Sequence, residues 1–139
     1  MAGYPHPSSI AAYKSVANHG AVVEADPYQL ICMLMDGALE RLNLARAAIQ
    51  RKDKIGKAAA LHRVTSILDE LRLSLNHSVG GDISASLDGL YDYMIRRTLA
   101  ANLQDDIKAV DEVNNLLGEV RSAWGAIPVS ARNARTVQP

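Results

Sequence analysis

The side chains that could do chemistry are few in this sequence, and their spacing matches no familiar catalytic or metal-binding pattern. The single cysteine, Cys32, excludes a disulfide within the chain and any site that needs two thiolates. No two histidines are spaced as paired ligands on one helix face would be; they are His6, His19, His62 and His77. A di-iron bundle would also need Glu-x-x-His motifs, and none occurs. We therefore expect no metal, haem or other cofactor.

Two pairs of adjacent acids, Asp69–Glu70 and Asp105–Asp106, are the remaining candidates for acid–base chemistry. Neighbours in sequence point to different parts of a helix surface, so helix caps or solvated faces explain each pair better than a catalytic dyad does. The Gly80–Gly81 pair lacks the lysine and the strand–loop–helix context of a phosphate-binding loop. Cys32 lies beside an apolar stripe and is expected to be a small packing residue. The sequence thus predicts a protein that is not an enzyme.

Composition narrows the possible partners. A chain of 139 residues is typical of one domain, and 48% hydrophobic residues can supply a core. The 15 basic and 15 acidic residues give a formal charge of zero, which argues against nucleic acid and against a polybasic membrane surface. The N-terminus does not have the pattern of a signal peptide, and no apolar run is long enough to span a bilayer. These features predict a cytoplasmic protein.

Apolar residues recur at three- and four-residue steps in four segments, which predicts four amphipathic helices. Their predicted starts, in chain order, are the Asp26–Pro27 cap, Asp53, Asp82 and a point after Asn102 or Asp105. Four such helices bury their stripes most economically as an all-α, antiparallel four-helix bundle. We assign residues 26–124 to the bundle, 1–25 to an N-terminal arm, short helix or lid, and 125–139 to a flexible, disordered tail.

The third helix carries more apolar residues than one core face needs. Two rows run along it: Ile83, Leu87, Leu90 and Met94, and beside them Tyr91, Ile95 and Leu99. One interpretation is a wide core stripe, and the other is a hydrophobic groove for a helical partner. In the second case the arm could cover the empty groove, with Ile10 and Tyr13 as its anchors.

Several strings occur in an order that resembles the flagellin-specific export chaperone (FliS) family. They are AYKSV at 12–16, DPYQLICMLMDGAL at 26–39, GGDIS at 80–84, LYDYMIRR at 90–97 and EVNNLLGEVRSAW at 112–124. The resemblance covers roughly residues 9–124. Two positions depart from the family pattern: Met35 stands where an aromatic residue is common, and Thr98 where a larger aliphatic residue is usual.

The resemblance implies a cytoplasmic helical bundle that binds the C-terminal segment of newly made flagellin as separate helical pieces. Such binding would prevent premature polymerisation and deliver flagellin to the cytoplasmic domain of the flagellar export gate. Ile10 and Tyr13 match the arm positions that the family uses to cover the groove and to dock on the gate. The expected partner-binding residues of the bundle are Tyr91, Met94 and Ile95. Val113 and Leu117 follow, although the core is the better explanation for these two.

Two alternatives to a flagellin chaperone stay open at this point. One is a generic helical adaptor that binds another amphipathic client, and the other is an enzyme or electron carrier built on a metal-binding or haem-binding bundle. The missing ligand pattern argues against the second. The free protein could also form a homodimer through an exposed groove or a loose arm.

Overall fold

Four long helices make up the part of the chain that a computed structural model describes, residues 26–132 without the side chains of residues 77–79. They are α1 (Pro27–Gln50), α2 (Lys54–Leu73), α3 (His77–Gln104) and α4 (Ile107–Gly125). Each helix packs against two others, in the order α1, α2, α3, α4 and back to α1. The predicted all-α four-helix bundle is confirmed. None of the described helices is both long and apolar enough to cross a membrane.

Three of the helices begin where a single aspartate satisfies the free backbone amides of the first turn. The caps Asp26, Asp53 and Asp106 accept backbone N–H bonds of 2.8, 2.9 and 3.0 Å from residues two or three positions later. Pro27 follows the first cap, where its missing N–H costs nothing. The predicted starts of α1 and α2 are confirmed.

The start of α3 differs from the prediction. Helical structure begins at His77 rather than at Asp82, because Gly80 donates its N–H to the Asn76 carbonyl at 2.8 Å and closes an extra turn. Gly81 then leaves the helical conformation, with φ 52° and ψ −122°, a combination that side chains disfavour. Gly81 therefore places a kink inside α3.

The buried line of α3 takes one residue from each of the two predicted apolar rows. Tyr91 and Met94 are buried, and the line continues through Thr98 and Ala101 at four- and three-residue steps. The Thr98 hydroxyl donates to the Met94 carbonyl at 2.8 Å, so a polar residue is accommodated in the core. By contrast, Ile83 and Leu99 are mostly exposed.

Side-chain pairs across α1 and α4 fix the antiparallel register of these two helices. Asp36 accepts from Arg121 at 2.8 Å, and Arg46 donates to Asp111 at 2.8 Å. Between them, Asn114 donates to Asn43 at 3.0 Å. The residue numbers rise along α1 while those of α4 fall, at matching steps of seven and three. This polar ladder covers the α1–α4 seam.

Residues 126–132, which the sequence assigns to the tail, turn back towards the start of α1. Trp124 stacks on Tyr28 with ring centroids 5.4 Å apart, and its indole N–H donates to the Tyr28 carbonyl at 3.2 Å. The Arg132 guanidinium lies 3.9 Å from the centroid of the Tyr28 ring. These contacts link the start of α1 to the end of α4 and to the residues that follow α4.

Candidate protein-binding surface

Four of the expected partner-binding residues lie in the hydrophobic core. Met94, Val113 and Leu117 are fully buried, and Tyr91 is 3% exposed. Burial raises the pKa of Tyr91 to about 12, so its hydroxyl is neutral at physiological pH. In this conformation these side chains hold the helices together. The arm residues Ile10 and Tyr13 lie outside the described residues.

Of the partner-binding residues expected on the bundle, Ile95 is the one that is partly exposed. It is the first of three aliphatic residues in a row along α3. Ile95, Leu99 and Leu103 are spaced by four residues and therefore share one side of the helix. Ile95 is partly buried against the core, Leu99 is 56% exposed and Leu103 is 83% exposed. Single exposed leucines are ordinary, but an aligned row of aliphatic side chains is typical of an interaction surface.

The row lies on the side of α3 that faces α2. Asp88 and Asp92 precede Ile95 and Leu99 by seven residues each, which is close to two full helical turns. Both aspartates bond to Arg72 of α2, at 3.0 and 3.5 Å. Ion pairs thus close the part of the α2–α3 seam near the end of α2, and aliphatic side chains occupy the part near the end of α3.

The opposite side of α3 is occupied by a polar network with α4. The Tyr93 hydroxyl donates to Glu112 at 2.6 Å, and the Arg97 guanidinium donates to the same carboxylate at 2.8 Å. These two donors hold the pKa of Glu112 below its usual range, and the bond to the carboxylate raises the pKa of Tyr93. Every group of this network has a partner, so it fixes the α3–α4 register.

A buried lysine joins α2 to the end of α3 beside the aliphatic row. Lys57 is only 7% exposed, and its ammonium donates to the Asn102 carbonyl at 2.7 Å and to the Asp105 carboxylate. The bond from Lys57 lowers the pKa of Asp105. Two residues before Lys57, Ile55 is 85% exposed. Two residues correspond to about 200° around a helix, so Ile55 lies on the side of α2 opposite the one from which Lys57 reaches α3. We call the set of Ile95, Leu99 and Leu103 the α2–α3 apolar surface.

Other exposed apolar side chains are dispersed over the described residues. They are Met33, Leu44, Ile55, Leu73, Ile83 and Val129. Met33 and Leu44 are eleven residues apart on α1, with the charged Glu40 and Arg41 between them. We therefore treat the α2–α3 apolar surface as the principal candidate for binding another protein.

The described side chains hold no group of three or more His, Cys, Asp and Glu that could bind a metal ion. Cys32 is partly buried and His62 is exposed. The Asp105–Asp106 pair was expected to form helix caps or a solvated face. In the structure Asp106 caps α4, and Asp105 pairs with Lys57.

Leu103 was not among the partner-binding residues expected from the sequence. The four-residue step from Ile95 through Leu99 to Leu103 was present in the sequence and could have identified it. No local signal shows that this end of α3 lies beside the start of α2. That alignment becomes visible through Lys57, which bonds to Asn102 across 45 positions of sequence.

The chain is similar in sequence to known flagellar proteins. The family described as Flagellar protein FliS matches residues 9–131. The chain is 43% identical over 125 residues to the flagellar secretion chaperone FliS of Salmonella typhimurium, an alignment that covers 89% of this chain and 93% of the relative. It is 40% identical over 115 residues to FliSB of Pseudomonas aeruginosa, covering 83% and 91% of the two chains. It is 35% identical over 115 residues to FliS of Bacillus subtilis, covering 83% and 85%. On this evidence, the chain belongs to the FliS family of flagellar proteins.

Proposed function

We propose that the protein is a cytoplasmic export chaperone that binds the C-terminal helical segment of flagellin. The support comes from relatives named flagellar secretion chaperones and from the order of the FliS-like strings in the sequence. Binding covers the apolar helix faces by which flagellin would otherwise polymerise. The chaperone then delivers its client to the cytoplasmic domain of the flagellar export gate.

The observation that carries the proposal is the α2–α3 apolar surface. Polar pairs close the α1–α4 seam, the α3–α4 seam and the part of the α2–α3 seam around Arg72. Where those pairs stop, Leu99 and Leu103 are 56% and 83% exposed to solvent. An amphipathic helix of the client would bury them with its own apolar face, as in other helix-in-groove complexes.

The expected partner-binding residues take different roles in this proposal. Ile95 contacts the client directly, together with Leu99 and Leu103. The arm residues Ile10 and Tyr13 cover the surface when it is empty and engage the export gate. The core residues Tyr91, Met94, Val113 and Leu117 act indirectly, by holding α3 at the height and rotation that present the row.

Calorimetric titration with a synthetic C-terminal peptide of flagellin from the same organism tests the proposal. We expect saturable binding with a negative heat-capacity change, because apolar area is buried. Leu99→Asp should weaken binding roughly tenfold or more, since a charge would be moved from water into an apolar contact.

The matched control is Leu44→Asp, because Leu44 is 50% exposed on α1 and Leu99 is 56% exposed on α3. The control should leave the affinity unchanged. Equal loss of affinity in the two variants would remove the α2–α3 apolar surface as the client site. Failure of the unaltered protein to bind the peptide would remove flagellin as the client and favour a helical adaptor for another protein.

A further inference from the structure

A cavity of about 220 Å³ lies at the end of the bundle next to the α2–α3 apolar surface. Its walls come from the end of α1, the start of α2 and the α3–α4 turn. Ala48 and Ile49 give it an apolar part, and three lysines and two aspartates give it a charged part. Ile55 follows one of these lysines directly, and Leu103 lies two residues before Asp105.

The charges around the cavity do not cancel locally. Asp53 accepts a 3.0 Å bond from Arg51 and also caps α2, and Asp105 is paired with Lys57. Each acid thus has a basic partner of its own. The ammonium groups of the exposed Lys52 and Lys54 have no hydrogen bond or salt bridge among the described residues.

Lys54 and Asp105 both line the cavity. The hydrogen bond from Lys57 lowers the pKa of Asp105 most, burial opposes it, and the charges of Lys57 and then Lys54 lower it further. Two ammonium groups beside an apolar part therefore create a positive, half-enclosed pocket. A carboxylate attached to an apolar residue complements both parts, because the charge meets the lysines and the side chain meets Ala48 and Ile49.

We propose that this cavity receives the free C-terminal carboxylate of the bound flagellin segment, held by Lys52 and Lys54. The inference rests on the proposed function. A client helix that lies over Leu99 and Leu103 and runs towards the α3–α4 turn would end at the cavity. A C-terminal segment carries a carboxylate that no internal helix has. The cavity would thus fix both the direction and the register of the client.

Two flagellin C-terminal peptides test the inference by calorimetry on the full, unaltered chain. One peptide keeps its terminal carboxylate, and the other ends in an amide of the same length. Two partly exposed ion pairs predict that the amidated peptide binds roughly five- to tenfold more weakly. Equal affinities would overturn the inference and leave the proposed function intact, whereas absence of binding by both peptides would refute the proposed function itself.

The lysines are tested with the double variant Lys52→Gln, Lys54→Gln. It should lower affinity for the free-acid peptide and abolish the difference between the two peptides. A difference that came only from the effect of the terminal charge on the peptide's own helicity would be the same with both forms of the protein. Lys108→Gln is the control, because Lys108 is an exposed lysine of α4 that does not line the cavity. Persistence of the full difference in the double variant would overturn the assignment of the carboxylate to these lysines.

Discussion

Met94 and Leu99 lie five residues apart on α3, and truncating each to alanine should separate folding from client binding. Met94 is fully buried in the core, whereas Leu99 is 56% exposed on the α2–α3 apolar surface. Met94→Ala leaves a cavity among α3 and its neighbours, which should lower the free energy of unfolding by about 2–5 kcal/mol. At roughly 4 °C for each kcal/mol, the melting temperature should fall by about 8–20 °C.

Leu99→Ala should change the affinity for the client more than the free energy of unfolding. Fully burying a leucine side chain contributes about 1.5–3 kcal/mol, and the folded protein already buries a little under half of this one. The unfolding free energy should therefore fall by only about 1 kcal/mol. The client would bury the remaining half, so its loss should weaken binding by about 1–1.5 kcal/mol, or roughly five- to tenfold in Kd.

Two assays read these effects separately. Urea unfolding followed by circular dichroism gives the stability of each variant, and calorimetry with the flagellin C-terminal peptide gives the affinity. Affinity should be measured well below the melting temperature of Met94→Ala, so that the folded fraction is unchanged. The reasoning is refuted if Met94→Ala weakens binding strongly while stability is retained, because Met94 would then contact the client rather than the core.

Three further predictions concern local features. Glu112→Gln should make the free energy of unfolding less dependent on pH in the acid range. The pKa of Glu112 is lowered in the folded state. Its carboxylate therefore stabilises the fold above the unfolded pKa of about 4.3, and this stabilisation is lost as pH falls through the folded pKa. Urea unfolding at neutral and acidic pH should therefore show a difference from the unaltered protein that shrinks with acid; a constant difference would contradict this. Gly81→Ala should lower the unfolding free energy by about 1–3 kcal/mol, because Gly81 has φ 52°, and unchanged urea stability would argue against the kink. Arg132→Ala should alter the fluorescence of Trp124, the single tryptophan, by loosening the Tyr28 stack; an unchanged emission spectrum would contradict that packing.

Most of the helical framework follows from local sequence signals. Asp26, Asp53 and the Asp105–Asp106 pair mark starts because a short acidic side chain is well suited to the free amides of a first turn. The three- and four-residue steps of apolar residues in α1, α2 and α4 place their buried faces correctly. These signals act within one or two turns, so no long-range information is needed.

The face of α3 could not be predicted in the same way. Its buried line includes Thr98 and Ala101, which carry little hydrophobic signal, and it excludes Ile83 and Leu99, which carry much. The choice depends on contacts with α2 and α4, and on a hydroxyl that bonds to its own backbone. An apolar pattern also looks the same whether another helix of this chain or a client covers it.

The candidate surface shows the same division between local and long-range information. The row of Ile95, Leu99 and Leu103 is a local pattern. The position of this row next to the lysine-lined cavity arises from helices that meet across about 45 residues of sequence, where Lys57 bonds to Asn102 and Asp105. Sequence alone gives the components of such a site but not their juxtaposition.

Photo-cross-linking tests the central claim, that flagellin binds on the α2–α3 apolar surface, most directly. A benzophenone side chain replaces Leu103 in one variant and Leu44 in another; both positions are exposed, on α3 and α1 respectively. After irradiation with the flagellin C-terminal peptide, the account predicts a strong cross-link from position 103 and none above background from position 44. A cross-link from position 44 without one from position 103 would contradict the account.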